Sequence, residues 1–157
     1  MPTRKIVTVG DPVLRTRAQE VDPAELRTES FRQLVSDMVE TMRLAPGVGL
    51  AAPQVGISKR VFVADTPDGA IALVNPRFTR MSRKTVGYEE GCLSVPGQYD
   101  TVRRSREVDV EALTASGEPI RFTAKGFFAR VMQHEMDHLD GILFLDRIAE
   151  QRHEGKK

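Results

Sequence analysis

Two histidines four residues apart, in His134-Glu135-Met136-Asp137-His138, constrain this chain more than any other feature. Residues at i and i+4 share one face of an α-helix, one turn apart, so the pattern predicts a helix whose two imidazoles reach a single metal ion. The flanking residues predict that helix from about Gly126 to Leu139. Glu135 adjoins the first imidazole, where it can meet a water on the metal without taking a coordination position. A metal lowers the pKa of such a water, and a carboxylate beside it can take the proton and pass it to a leaving amine. The bland alternative is a pair of solvated histidines on an ordinary helix. It is weakened because the chain has only 3 histidines and two fall at ligand spacing. The third, His153, lies in a polar tail and reads as a bystander.

Two imidazoles are one ligand short of a catalytic site, which takes three protein donors and leaves a fourth position for water. Downstream of His138 the candidates are Asp146, Glu150, His153 and Glu154, together with Asp140, which follows too soon to turn back easily. Upstream, the only soft donor is Cys92, in Glu90-Gly91-Cys92-Leu93-Ser94-Val95-Pro96. A lone cysteine is ordinarily a small buried hydrophobe. Beside a two-histidine site that lacks a ligand, Cys92 becomes the expected third donor. A purely structural zinc would need four protein ligands, and only three present themselves.

A third segment, Gly47-Val48-Gly49-Leu50-Ala51-Ala52-Pro53-Gln54-Val55-Gly56, is rich in small residues. It has no Lys-Ser/Thr ending and no preceding strand, which excludes a phosphate loop. Its glycines allow a substrate backbone to lie against the loop. Gln54 is the one polar side chain, and its amide can donate to a developing oxyanion.

The remaining pattern predicts an α+β fold. Asp22-Pro23-Ala24-Glu25 opens a helix, and Phe31, Leu34, Val35, Met38, Val39 and Met42 continue one long amphipathic helix up to Pro46-Gly47. Arg60 to Ala64 and Ala70 to Val74 read as strands around a turn at Pro67-Asp68-Gly69. Val108, Val110 and Ala112, then Ile120, Phe122 and Ala124, alternate as a hairpin turned at Ser116-Gly117. The expectation is an antiparallel or mixed sheet packed around a central metal-binding helix, in one domain over 1–148 with a short polar tail at 149–157. A formal charge of +1 predicts no nucleic-acid or membrane partner, and 1 cysteine leaves no internal disulfide. There is no membrane-length apolar run, and the opening Met1-Pro2-Thr3-Arg4-Lys5 lacks the apolar stretch of a signal peptide. A cytoplasmic monomer is therefore expected.

Together the segments resemble the peptide deformylase family, marked by GxGLAAxQ, EGCLS and QHExDHL in that order. Here they stand at Gly47 to Gln54, Glu90 to Ser94 and Gln133 to Leu139, and the likeness extends from Val9-Gly10-Asp11-Pro12-Val13-Leu14-Arg15 to Gly141-Ile142-Leu143-Phe144. The resemblance implies removal of the formyl group from the N-terminal methionine of new polypeptides. It implies that Cys92, His134 and His138 bind one divalent metal, with Glu135 as general base and acid. Gln54 and the backbone N–H of Leu93 would polarise the formyl oxygen. Gly47, Val48, Gly49 and Leu50, with Glu90 and Gly91, would line the peptide groove, Val48 beside the methionine pocket. The family points to ferrous iron in the cell, while the ligand set also accepts zinc, nickel or cobalt. Some members carry arginine where this chain has Tyr99, so contacts further along the peptide are expected to differ. The short tail argues for no more than transient ribosome contact. The rival reading is an HExxH endopeptidase with an unusual third ligand.

Overall fold

The computed structural model describes residues 3–154. The helix expected to run unbroken from Asp22 is two helices, α1 (Pro23–Leu26) and α2 (Glu29–Leu44). Asp22 caps α1 by accepting from the Ala24 N–H. The break comes at Thr28, whose hydroxyl donates to the Glu25 carbonyl and accepts from the Phe31 N–H, so one residue closes the first helix and caps the second. Phe31, Leu34, Met38 and Met42 form the buried face of α2, packed with Leu50, Val61 and Val63.

Among the described residues, seven strands follow. A five-stranded sheet has the order β1-β2-β3-β6-β7, built from β1 (Gly49–Ala51), β2 (Val61–Thr66), β3 (Gly69–Met81), β6 (Glu107–Leu113) and β7 (Pro119–Lys125). A separate two-stranded sheet pairs β4 (Thr85–Cys92) with β5 (Val95–Ser105). Every strand pairing is antiparallel. The hairpin read from Val108 to Ala124 is β6–β7, with Val110 opposite Phe122. The short β1 leaves the sheet at an open edge.

Helix α3 (Gly126–Leu139) lies against strands of both sheets. Ala129, Met132, Met136 and Leu139 meet Phe62, Leu73, Val108 and Val110 in the main core. Burial of that face holds the helix over the five-stranded sheet. Gly141 ends it at φ 75, and a Cβ there would stand 2.8 Å from the Arg15 backbone, so only glycine fits.

Of the polar tail expected over 149–157, residues 155–157 lie outside the described residues, and 149–154 belong to α4 (Phe144–Glu154). Its apolar side, Phe144 and Ile148, packs with Leu14, Val95 and Val102. Gln151 explains why the helix persists beyond its apolar residues: its amide accepts from the Arg103 N–H and donates to the Thr101 carbonyl, satisfying the free edge of β5. Among the described residues, no helix is long and apolar enough to cross a membrane.

Candidate active site

The end of β4, the middle of α3 and the loop around β1 meet at one cleft of about 600 Å³. Cys92, the last residue of β4, presents Sγ 3.3 Å from Nε2 of His138. The side-chain donors of Cys92, His134 and His138 all lie within 4.8 Å of one another. A tetrahedral ion with one sulfur and two nitrogen ligands needs those donors about 3.5 Å apart. One thiol and two imidazoles at this spacing therefore fit a single first-row divalent metal. His153 is exposed on α4 and takes no part in this group.

Gln54 lies in a short 3-10 turn, Ala52–Val55, directly after β1. Its carbonyl accepts from the Ala51 N–H at 3.0 Å, which fixes the amide's orientation. The NH₂ end then points at Ser94 Oγ (3.2 Å) and Cys92 Sγ (3.6 Å). Gly47, Val48, Gly49, Gln54, Glu90, Gly91, Cys92, Leu93, His134 and Glu135 all line the cleft. Leu50 does not: its side chain is fully buried in the core with Met38 and Val61. Leu93 sits in the turn joining β4 to β5.

Glu135 is buried, and its Oε1 has no hydrogen-bond partner among the described residues. Burial raises its pKa to about 7, against the pull of the positive charges on His134 and Arg104. A buried carboxyl with an unpartnered oxygen has an atom free to take a proton and return it. In the metal-free protein burial also pushes His134 down, but its hydrogen bonds to Cys92 and Glu90 outweigh this and lift it to about 10. His138 is pushed well below its ordinary value by burial and by the charge on His134.

The sequence reading did not find the support behind these groups. Glu90, expected only as groove lining, also accepts from His134 Nδ1 at 2.8 Å, which leaves the opposite ring nitrogen for a metal. The Glu90 carboxylate is gripped by Arg104 at 2.7 and 2.9 Å and by Arg130 at 2.5 Å. Burial raises its pKa, but the hydrogen bonds from His134 and Arg104 win and hold it well below the usual carboxylate range. Arg104 reaches on to Asp137, which Arg147 of α4 also pairs in two hydrogen bonds. The available signal was the position of Arg104, an arginine two residues after Val102 on the buried side of a strand.

A family model described as polypeptide deformylase matches residues 3–154. A peptide deformylase of Halothermothrix orenii is 50% identical over 150 residues, covering 94% of this chain and 95% of its own. The crystal structure of peptide deformylase from Thermotoga maritima superposes with a TM-score of 0.89 at 42% identity, covering 94% of this chain and 98% of that one. A class I type b peptide deformylase from Acinetobacter baumannii, solved with Met-Ala-Ser bound, gives a TM-score of 0.88 at 39% identity over 93% of this chain and 98% of that one. Sequence, fold and the thiol-and-imidazole cluster agree: the chain belongs to the peptide deformylase family, enzymes that hydrolyse the N-formyl group from formyl-methionyl peptides.

Proposed function

We propose that Cys92, His134 and His138 hold one divalent ion, ferrous in the cell, and that Glu135, Gln54 and Leu93 carry the hydrolysis. The observation that supports this most is the convergence of three donors within 4.8 Å beside a buried carboxylate oxygen that has no other partner. When bound, the ion supplies an acidic water at neutral pH and draws electrons from the formyl carbonyl. Zinc, nickel and cobalt suit the same ligands and would support the isolated enzyme.

The chain's own groups do the rest. Glu135 takes the proton from the attacking water and delivers it to the departing amine nitrogen, so the C–N bond breaks to give formate and a free N-terminus. Gln54 Nε2 and the Leu93 N–H donate to the oxygen that gains negative charge, worth about 3 kcal/mol per donor in comparable sites. The peptide backbone lies between Gly47-Val48-Gly49 on one side and Glu90-Gly91 on the other, with Val48 beside the methionine side chain. Leu50 contributes only main chain, its side chain being in the core. Tyr99 stands where the peptide continues.

This reading describes one catalytic unit, a cytoplasmic monomer that meets nascent formyl-methionyl chains with at most transient ribosome contact. The relative solved with Met-Ala-Ser supports a peptide occupant of this kind. The test is anaerobic purification, metal analysis and formate release from formyl-Met-Ala-Ser. About one metal per chain and activity on formylated but not acetylated peptides is the expected result. Cleavage of internal peptide bonds instead would overturn it in favour of an endopeptidase.

A further inference from the structure

Asp137 lies on the side of α3 away from the substrate cleft, three residues after His134 and one before His138. It lines a second cavity, of about 510 Å³, walled by residues of β3, β5, α3 and α4. No residue that lines this cavity also lines the cleft. Arg147 reaches Asp137 from α4 with two hydrogen bonds, Nε to Oδ2 at 3.0 Å and Nη2 to Oδ1 at 2.7 Å. Its contact with Glu150, at 3.5 Å, is long and made to an exposed carboxylate.

Asp137 hands this constraint on. Its Oδ2 also accepts from Arg104 Nη1 at 2.8 Å, while Nε and Nη2 of the same guanidinium hold Glu90. A guanidinium is a rigid plane, so Arg104 cannot turn toward one carboxylate without leaving the other. The side chains of Arg104, Glu90 and Asp137 are only 4%, 5% and 9% exposed, so each depends on the others as partners. With Arg147 in place, Asp137 has a paired partner and takes a single N–H from Arg104. Without it, a buried carboxylate keeps one bond, and the nearest charge it can draw on is Arg104, at the expense of Glu90. The Glu90 oxygen that would lose its hold is Oε1, which accepts from Arg104 Nη2 and from His134 Nδ1.

We infer that Arg147 is a positioning residue for the metal site: through Asp137 and Arg104 it keeps Glu90 against His134, and so sets how long the ion is held. The inference rests on the proposed metal site and extends it to α4, a helix outside the cluster of three donors. Losing an outer partner of a metal-bound histidine costs roughly 10–100-fold in affinity, and Arg147, standing further back, should act at the lower end.

The experiment loads the full chain with cobalt and follows the loss of its visible absorption after excess chelator is added. Arg147→Met should release the ion about tenfold faster than wild type. Asp137→Asn removes the next link, so adding Arg147→Met to it should change release by less than about twofold. Gln151→Ala loosens α4 from β5 without touching Asp137, and should lower the thermal midpoint while release stays at the wild-type rate. Arg147→Lys keeps the charge and loses the paired geometry. It should fall between, and it carries the test if Arg147→Met does not fold. Release at the wild-type rate in both Arg147 variants, or effects of Arg147→Met and Asp137→Asn that multiply, would overturn the relay alone. So would equal acceleration by Gln151→Ala, since docking of α4 as such would then be what matters. A wild-type chain that binds no cobalt would remove the parent reading and this one together.

Discussion

Glu135 occupies the space that a side chain at position 49 would need: a Cβ on Gly49 would stand 2.7 Å from the Glu135 Oε2. The carboxylate is thus seated against bare backbone at the open edge of β1. Gly49→Ala should push it out of place. Formate release is expected to fall about 100-fold, as for misplacing a reacting group by about 1 Å. The thermal midpoint should move little, because the atom that must yield is the end of a flexible side chain. An alanine variant with the wild-type rate would show that the seat is unimportant.

Removing the proposed proton carrier while keeping its shape is the sharper test of role. Glu135→Gln should retain its metal and lose roughly 10²–10⁴ in turnover. Metal stoichiometry and formate release on one preparation separate the outcomes. Loss of the metal would make Glu135 a ligand instead.

The same variant predicts an unusual pH dependence in metal-free protein. Burial lifts the Glu135 pKa from 4.5 to about 7. A carboxyl raised on folding contributes stability that is fully present below 4.5 and is lost as pH rises through 7. Metal-free wild type should therefore lose stability across that window, on the order of 3 kcal/mol, relative to Glu135→Gln. Denaturant midpoints at pH 4.5 and pH 8 give the comparison, and parallel curves for the two proteins would count against the buried charge.

Glu90 behaves in the opposite sense. Its pKa is depressed from 4.5, with the hydrogen bonds of His134 and Arg104 overcoming the effect of burial. Its contribution is present above pH 4.5 and is lost as pH falls below it. Glu90→Gln leaves Arg104 and Arg130 facing each other without their shared carboxylate, at a cost of about 3–5 kcal/mol. The variant should show a lower urea midpoint at pH 7 and a gap to wild type that narrows in acid. A gap independent of pH would mean that the ion pairs contribute nothing.

Cys92 is the only thiol in the chain. Cys92→Ala should lose tightly bound metal and activity together. In wild type the thiol should resist alkylation with metal present and react after chelation, which mass spectrometry reads directly. A full metal equivalent on the alanine variant would refute the ligand assignment.

Much of this was legible because local patterns and tertiary packing agreed. The i, i+4 histidines lie on α3, and the alternation at Val108–Ala112 and Ile120–Ala124 lies on β6 and β7. The β4–β5 sheet was not legible, since most of its residues face solvent and only Glu90, Val95, Val102 and Arg104 are buried. Half of those are charged, so the hydrophobic pattern that announces a strand was absent. The break at Thr28 was missed for a different reason. The apolar period of α2 begins only at Phe31, and a long-range pattern overshadowed a short capping signal three residues earlier. Glu90 was seen as a motif residue, but its three basic partners come from two distant places in the chain, Arg104 on β5 and Arg130 and His134 one turn apart on α3. No local window contains them.

That dispersion bears on how the protein matures. Cys92 and His138 are 46 residues apart, on a two-stranded sheet and on a helix that packs chiefly over a different sheet. During vectorial synthesis the thiol emerges long before either imidazole, and no partial chain holds more than one of the three proposed ligands until α3 is made. On the proposed ligand set, metal loading is a step that only a chain synthesised through α3 can pass. A cell short of the metal would accumulate molecules that are correct in backbone and inert in chemistry.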